Sequence, residues 1–298
     1  MTLRHTTFLL AFLCSAAVGV AAEPAFFAMD TGTKDATHQT ADSQVALVKE
    51  IGFDGIGPEL STPDALREML TATDRQQVKF SALYMRLDLE SGLPAQGNLT
   101  IPDTIQQLRD HGAILWLSVT SKTYKSSDPA GDAQAVQVLR EIAALAKPAG
   151  VRVALYPHAG FWIGRIEDAV RIANQVDQAN LGVTFNLCHW LKVDGKDLDA
   201  RLELARPRLF AVTLNGADTG VDDWGHLIQP LGSGNFEIAH LLAKLKDIGF
   251  TGPIGLQHYG IPGDARTNLQ RSMNAWRTLH GQKPKESVTP PPAKAAVP

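Results

Sequence analysis

Eight short apolar runs, separated by amphipathic stretches, constrain this chain more than any other feature. The runs are AFFAMD from residue 25, FDGIGPE from 53, FSALYMR from 80 and AILWLSVT from 113. They continue with VRVALYPH from 151, LGVTFNLCH from 181, LFAVTLNGAD from 209 and PIGLQHYG from 253. The stretches between them have helical spacing. SQVALVKEIGF sets Val45, Leu47, Val48 and Ile51 along one face, with Ser43 as its cap and Gly52 as its stop. Short strands alternating with helices build parallel βαβ units, and eight such units close into a barrel. The expected fold is α/β, a single-domain (β/α)8 barrel. A doubly wound open sheet is the alternative, but no Gly-rich phosphate loop follows the first run.

The ends of the chain stand apart from this pattern. Residues 1–22 carry Arg4 and His5, then an apolar run from Phe8 to Val20, then small residues before Glu23. That is the composition of a secretory signal peptide, and it predicts a secreted or periplasmic protein. The run is short for a membrane span of about 20 residues, so no membrane association is expected after cleavage. Residues 23–280 hold the barrel. Residues 281–298, rich in Pro, Lys and Ala, have little to bury and are expected to be a disordered tail. With the signal removed Cys188 is the one remaining cysteine, so no internal disulfide can form, and the thiol is expected to pack as a small apolar group. A net charge of −3 gives no basic footprint for nucleic acid.

The runs carry a second signal. Val153 and Leu155 alternate with Ala154, Tyr156 and His158; Val183, Phe185 and Leu187 with Thr184 and Asn186. Phe210, Val212 and Leu214 alternate with Ala211, Thr213 and Asn215, and Ile254 and Leu256 with Gly255 and Gln257. A period of two puts these sets on opposite faces. The large apolar set belongs under the helices. The other set starts small and turns polar toward the strand ends, where barrel enzymes carry their chemistry. Polar groups at four successive strand ends are costly to bury without a use. His189 is expected at the rim, just past the sixth run.

At this point the sequence resembles the xylose-isomerase-like TIM barrels, the family of sugar (phosphate) isomerases and epimerases. The resemblance covers roughly residues 24–280 and rests on EIGFDGIGPEL, GVRVALYPHAG, LGVTFNLCHWLKVDG, LFAVTLNGAD and PLGSGNFEIAHLLAKLKDIGFTGPIGLQHYG. It implies a divalent metal held by Glu, Asp, His and Glu at the ends of the last four strands. Those positions fall here on Tyr156, Asn186, Thr213 and Gln257, and a substrate-contacting His is kept as His189. Two amides and two hydroxyls carry no negative charge, and hard cations want ionised carboxylates. No cofactor is therefore expected, although a weak divalent ion on His158 and His189 stays open. The family reaction moves a proton beside a carbonyl, which here falls to His158 and His189 as acid and base. Asp30, Glu59, Arg86, Lys122, Tyr156, Trp162, Asn186, Asn215 and Gln257 are the expected substrate contacts, and loop tryptophans 162, 190 and 224 suit stacking on sugar rings. The expected partner is a small carbohydrate or oxidised sugar; the oligomeric state stays open. A non-catalytic carbohydrate-binding protein on the same scaffold is the alternative. The endonuclease branch of the superfamily needs a three-metal cluster of His, Asp and Glu that this sequence lacks.

Overall fold

The computed structural model describes residues 23–29, 32–91, 95–96 and 98–285. The expected signal peptide, Asp30 and residues 286–298 of the expected tail lie outside them. Nine strands form one sheet: β1 (Phe26–Met29), β2 (Gly55–Gly57), β3 (Lys79–Phe80), β4 (Ala82–Asp88) and β5 (Ile114–Thr120), then β6 (Arg152–Leu155), β7 (Leu181–Asn186), β8 (Leu209–Leu214) and β9 (Ile254–Leu256). Every pairing in this sheet is parallel.

β3 and β4 are two halves of the third run, interrupted at Ser81. β3 pairs with β2, and β4 pairs with β5. The interruption is bridged on both sides: Ser81 N–H donates to the Ile56 carbonyl at 2.8 Å, and its own carbonyl accepts from Ile114 N–H at 3.1 Å. The two open ends of the sheet therefore belong to one run, and the eight runs close into the expected barrel. Helices cover its outer face. Thr40, not Ser43, caps the helix Ala41–Ile51, because its hydroxyl accepts from the Ser43 amide; Gly52 ends that helix in the left-handed region at φ 103°.

The alternation of the runs sorts the core into two layers. Phe26, Leu115, Leu117, Val153, Leu155, Val183, Phe185, Val212 and Leu256 pack outward against the helices. Phe27, Met29, Ala82, Ile114, Trp116, Ala154, Tyr156 and Ala211 fill the inside. Phe27 takes most of its share of the barrel because its neighbours are bare: a Cβ on Gly57 or on Gly255 would stand 2.6 Å from its ring. Gly255→Ala is expected to destabilise the fold by about 1–3 kcal/mol through overpacking, read as a lower urea midpoint at unchanged slope.

Two expectations are corrected here. Phe210 does not lie under the helices with Val212 and Leu214. The register between β7 and β8 shifts between Leu209 and Ala211, which turns Phe210 against the inner cluster, where the Arg152 guanidinium sits 5.3 Å from its ring. The first residues of the stretch expected to be a tail are also held against the fold. The Lys285 backbone exchanges two hydrogen bonds with the Asn274 side chain, at 3.0 and 3.1 Å, so residues 281–285 run back along the last helix.

Candidate active site

The C-terminal ends of the strands surround a cavity of about 490 Å³, lined by residues of β1, β2 and β4 and of the segments that follow β2, β6, β7, β8 and β9. Its floor is Met29, Tyr156, His189, Ile228 and Gln257, all buried. Tyr84, His158 and Phe161 form the middle of the wall, half-buried, and Glu59, Arg86, Trp224 and Tyr259 stand exposed at the mouth.

His158 and His189 meet on one wall, with ring centroids 4.0 Å apart. His158 lies two residues beyond β6's paired end at Tyr156, whose N–H still bonds the Leu117 carbonyl. Its Nδ1 is 3.0 Å from the Ala159 carbonyl. A carbonyl can only accept, so Nδ1 carries the proton and the neutral ring keeps a lone pair on Nε2. Phe161 stacks on the same ring at 4.0 Å. Burial lowers the pKa of His158; the Ala159 hydrogen bond works in the opposite direction, and the charge of Arg86 adds to the lowering. His189 is not at the rim as expected. β7 ends at Asn186 and runs straight into the helix Leu187–Val193, whose first turn drops the imidazole to 6% exposure. Burial, and then His158 beside it, hold its pKa well below the usual imidazole range. Its Nδ1 finds no hydrogen-bond partner among the described residues. Both rings are therefore neutral at pH 7, one with a basic lone pair on Nε2 and the other with an unsatisfied polar atom.

The four positions that the resemblance assigns to metal ligands do converge. Thr213 Oγ1 donates to Asn186 Oδ1 at 3.2 Å, and Asn186 Nδ2 donates to the Pro157 carbonyl at 2.9 Å. Gln257 Oε1 accepts from the backbone N–H groups of His258 at 2.9 Å and Tyr259 at 3.1 Å. That fixes the amide orientation and leaves its NH2 as the donor end. Burial pushes the Tyr156 hydroxyl well above its ordinary range, against hydrogen bonds to Thr213 and Gln257, so it stays protonated. The amide oxygens are already engaged and no oxygen in the set is ionised. This donor set does not suit a hard divalent cation. Among the described residues no three His, Cys, Asp or Glu side chains are grouped to hold one.

Several expected contacts lie elsewhere. Trp162 is core: 2% exposed, it donates from Nε1 to the Asp128 carbonyl. Trp190 donates to the Lys196 carbonyl and packs on Phe185 and Phe236. Lys122 points to solvent, 83% exposed and 3.9 Å from Asp88. Asn215 is buried behind the cavity and ties down the following loop through the Gly216 and Leu227 carbonyls. Asn186 and Thr213 support the floor from beneath and do not line it. Of the loop tryptophans only Trp224 reaches the cavity, with its ring 5.5 Å from His189. Sequence reasoning missed Tyr84, Phe161 and Tyr259 as wall and rim. Tyr84 carried a usable signal, since it shares the inward parity of Ala82 and Arg86 in the third run.

A closed parallel barrel with titratable groups gathered at its C-terminal mouth is the architecture of a barrel enzyme. The chain belongs to the family described as xylose isomerase-like TIM barrel, whose profile matches residues 45–279. A 3-dehydroshikimate dehydratase of Pseudomonas aeruginosa is 30% identical over 146 residues, 47% of this chain and 23% of that enzyme. The chain spans less than half the length of the curated relatives it matches. A D-allulose 3-epimerase from Methylomonas sp. superposes with a TM-score of 0.70 at 16% identity, covering 86% of this chain and 98% of that one. A 3-keto-D-glucoside 4-epimerase from E. coli gives a TM-score of 0.68 at 14% identity, covering 87% and 100%. At such identities these likenesses speak for the fold.

Proposed function

We propose that this chain is a carbohydrate isomerase or epimerase that moves a proton beside a carbonyl with its own imidazoles and neutral donors, without a resident metal ion. The observation that carries the reading is the pair of neutral imidazoles, His158 and His189, 4.0 Å apart on the cavity wall. A carbon next to a ketone is acidic enough for a neutral imidazole to deprotonate when the developing oxyanion is stabilised. His158 Nε2 has the free lone pair for that step. The protonated nitrogen of His189 is the donor for the oxyanion, and the hydrogen-bonded chain of Gln257, Tyr156 and Thr213 forms the neutral floor behind it. The relatives named above fit the same chemistry, since a 3-keto-glucoside and a 3-dehydro acid both offer carbon beside a ketone.

The two imidazoles share one side of the cavity and serve one face of the sugar. In a ring of eight runs the second and sixth stand opposite, which puts Glu59 across from His189. Inversion at carbon would use His158 on one face and Glu59 on the other. Export belongs to the same reading and is supported by the composition of residues 1–22; recovery of the chain from the cytoplasmic fraction alone, with Met1 intact, would remove that part.

The test is solvent exchange. Chelator-stripped protein is incubated in D2O with ketoses and 3-keto-glucosides, and deuterium is followed at the carbons beside the carbonyl. Incorporation that is indifferent to added chelator is expected. Incorporation only after Mn2+, Zn2+ or Mg2+ is supplied would end the metal-free reading. Tight binding with no exchange would establish instead a carbohydrate-binding protein, the reading that the exposed aromatic rim favours.

A further inference from the structure

Five large apolar side chains are more than a third exposed among the described residues: Leu145, Leu204, Trp224, Tyr259 and Leu279. The two aromatic ones, Tyr259 at 65% and Trp224 at 38%, both stand at the mouth of the catalytic cavity. Two exposed aromatic rings at one mouth offer faces on which another ring can stack. These two are also held in place. Asp223 caps the short helix that begins at Trp224 by accepting from His226 N–H. The Lys192 ammonium lies 5.4 Å over the indole and is itself fixed to Asp222 at 2.6 Å. The Tyr259 backbone is pinned by Gln257. The Trp224 ring thus abuts the floor residue His189, and the Tyr259 backbone is bonded to another, Gln257.

We infer that the substrate is a glycoside: a sugar that reacts on the cavity floor while a second ring, attached through its glycosidic bond, stacks on Trp224 and Tyr259 at the mouth. The inference rests on the reading that the cavity takes a carbohydrate. Three further observations carry it. The depth order is right, with His189, Tyr156 and Gln257 buried on the floor and the aromatic faces exposed. The volume of about 490 Å³ falls in the range of cavities that enclose drug-sized ligands and not single small sugars alone. Among the residues lining the mouth the cation Arg86 is matched by the carboxylate Glu59, and Lys192 beside Trp224 is paired with Asp222, so the charge is balanced. A balanced rim gives no pull on a phosphate or carboxylate tail and leaves a neutral ring as the better occupant.

The probes are D-glucose, methyl β-D-glucopyranoside, phenyl β-D-glucopyranoside and cellobiose, with their 3-keto forms, titrated calorimetrically against the full chain. The phenyl glycoside and the disaccharide are expected to bind at least about tenfold more tightly than the methyl glycoside. Trp224→Ser and Tyr259→Ser should each collapse that ratio toward one, whereas Tyr259→Phe, which keeps the ring, should retain it. A merely structural role would weaken all probes alike and leave the ratio intact. Equal affinity for all probes, a ratio unchanged in both Ser variants, or no binding by any probe would overturn the inference. A preserved ratio with no solvent exchange on the 3-keto forms would instead sink the proposed catalysis and leave the rim assignment standing.

Discussion

His189→Gln is expected to lower turnover at least about a hundredfold, the usual scale for losing a positioned acid or base, while ligand affinity changes little. The glutamine keeps a donor near the same place, so the pocket's shape and most of its contacts survive. What it loses is the ability to hold and return a proton at that atom. His158→Gln should fall by a similar factor, because it removes the Nε2 lone pair that the Ala159 carbonyl enforces. Combining the two should cost little more than either alone if the rings act as one unit. The pH dependence carries the same logic. Both imidazoles have pKa values lowered by burial, so each is neutral above the ordinary value of about 6.5 and gains its proton only below it. The rate with a saturating keto-sugar should therefore stay flat through neutrality and fall on the acid side. Loss of rate on the alkaline side alone, or a His189→Gln variant as fast as the parent, would remove these residues from catalysis.

The strand faces were legible in the sequence because side-chain parity is a backbone property. Tyr156, Asn186, Thr213 and Gln257 share a face by count alone, and they do meet. Depth was not legible. His189 follows Asn186 by three residues whether the chain continues as a loop at the rim or turns at once into a helix, and only packing selects the helix that buries it. Loop residues were the least readable. Trp162, Trp190 and Trp224 give the same signal, an aromatic after a strand, yet two are committed to backbone carbonyls and one to the cavity. Arg86 and Lys122 both follow inward-facing positions. Arg86 belongs to a strand and is carried to the mouth; Lys122 lies beyond its strand, and the loop turns it to solvent. The Phe210 shift was hidden for a related reason: a bulge adds one residue without changing the apolar pattern around it.

Asn186→Asp is expected to cost about 3 kcal/mol of stability at pH 7, although it changes one atom's chemistry and no volume. Asn186 is buried to 2% exposure. Its Nδ2 donates to the Pro157 carbonyl, and its Oδ1 accepts from Thr213. An aspartate oxygen in place of Nδ2 would face that carbonyl lone pair to lone pair, with a charge no neighbour neutralises. The carboxyl responds by raising its folded-state pKa above the unfolded value of about 3.9. A raised folded pKa means that the penalty is full above it and fades as pH falls toward the unfolded value. The stability gap between variant and parent should accordingly narrow on acidification, measured as the difference of two urea midpoints at each pH.

The same position separates lost charge from lost geometry. If the pocket rejects divalent ions because its oxygens are uncharged, restoring two carboxylates should restore affinity. Asn186→Asp combined with Gln257→Glu should then gain thermal stability with added Mn2+, by about 2.7 kcal/mol at a concentration a hundred times the dissociation constant. The parent should gain none. Asn186→Asp alone should gain less than the pair, since one carboxylate beside neutral hydroxyls holds the ion poorly. A melting temperature of the unmodified chain that climbs with Mn2+, accompanied by one ion per chain, would show that the neutral oxygens ligate after all. In that event the proton transfer assigned to His158 and His189 would have to be rebuilt around the ion.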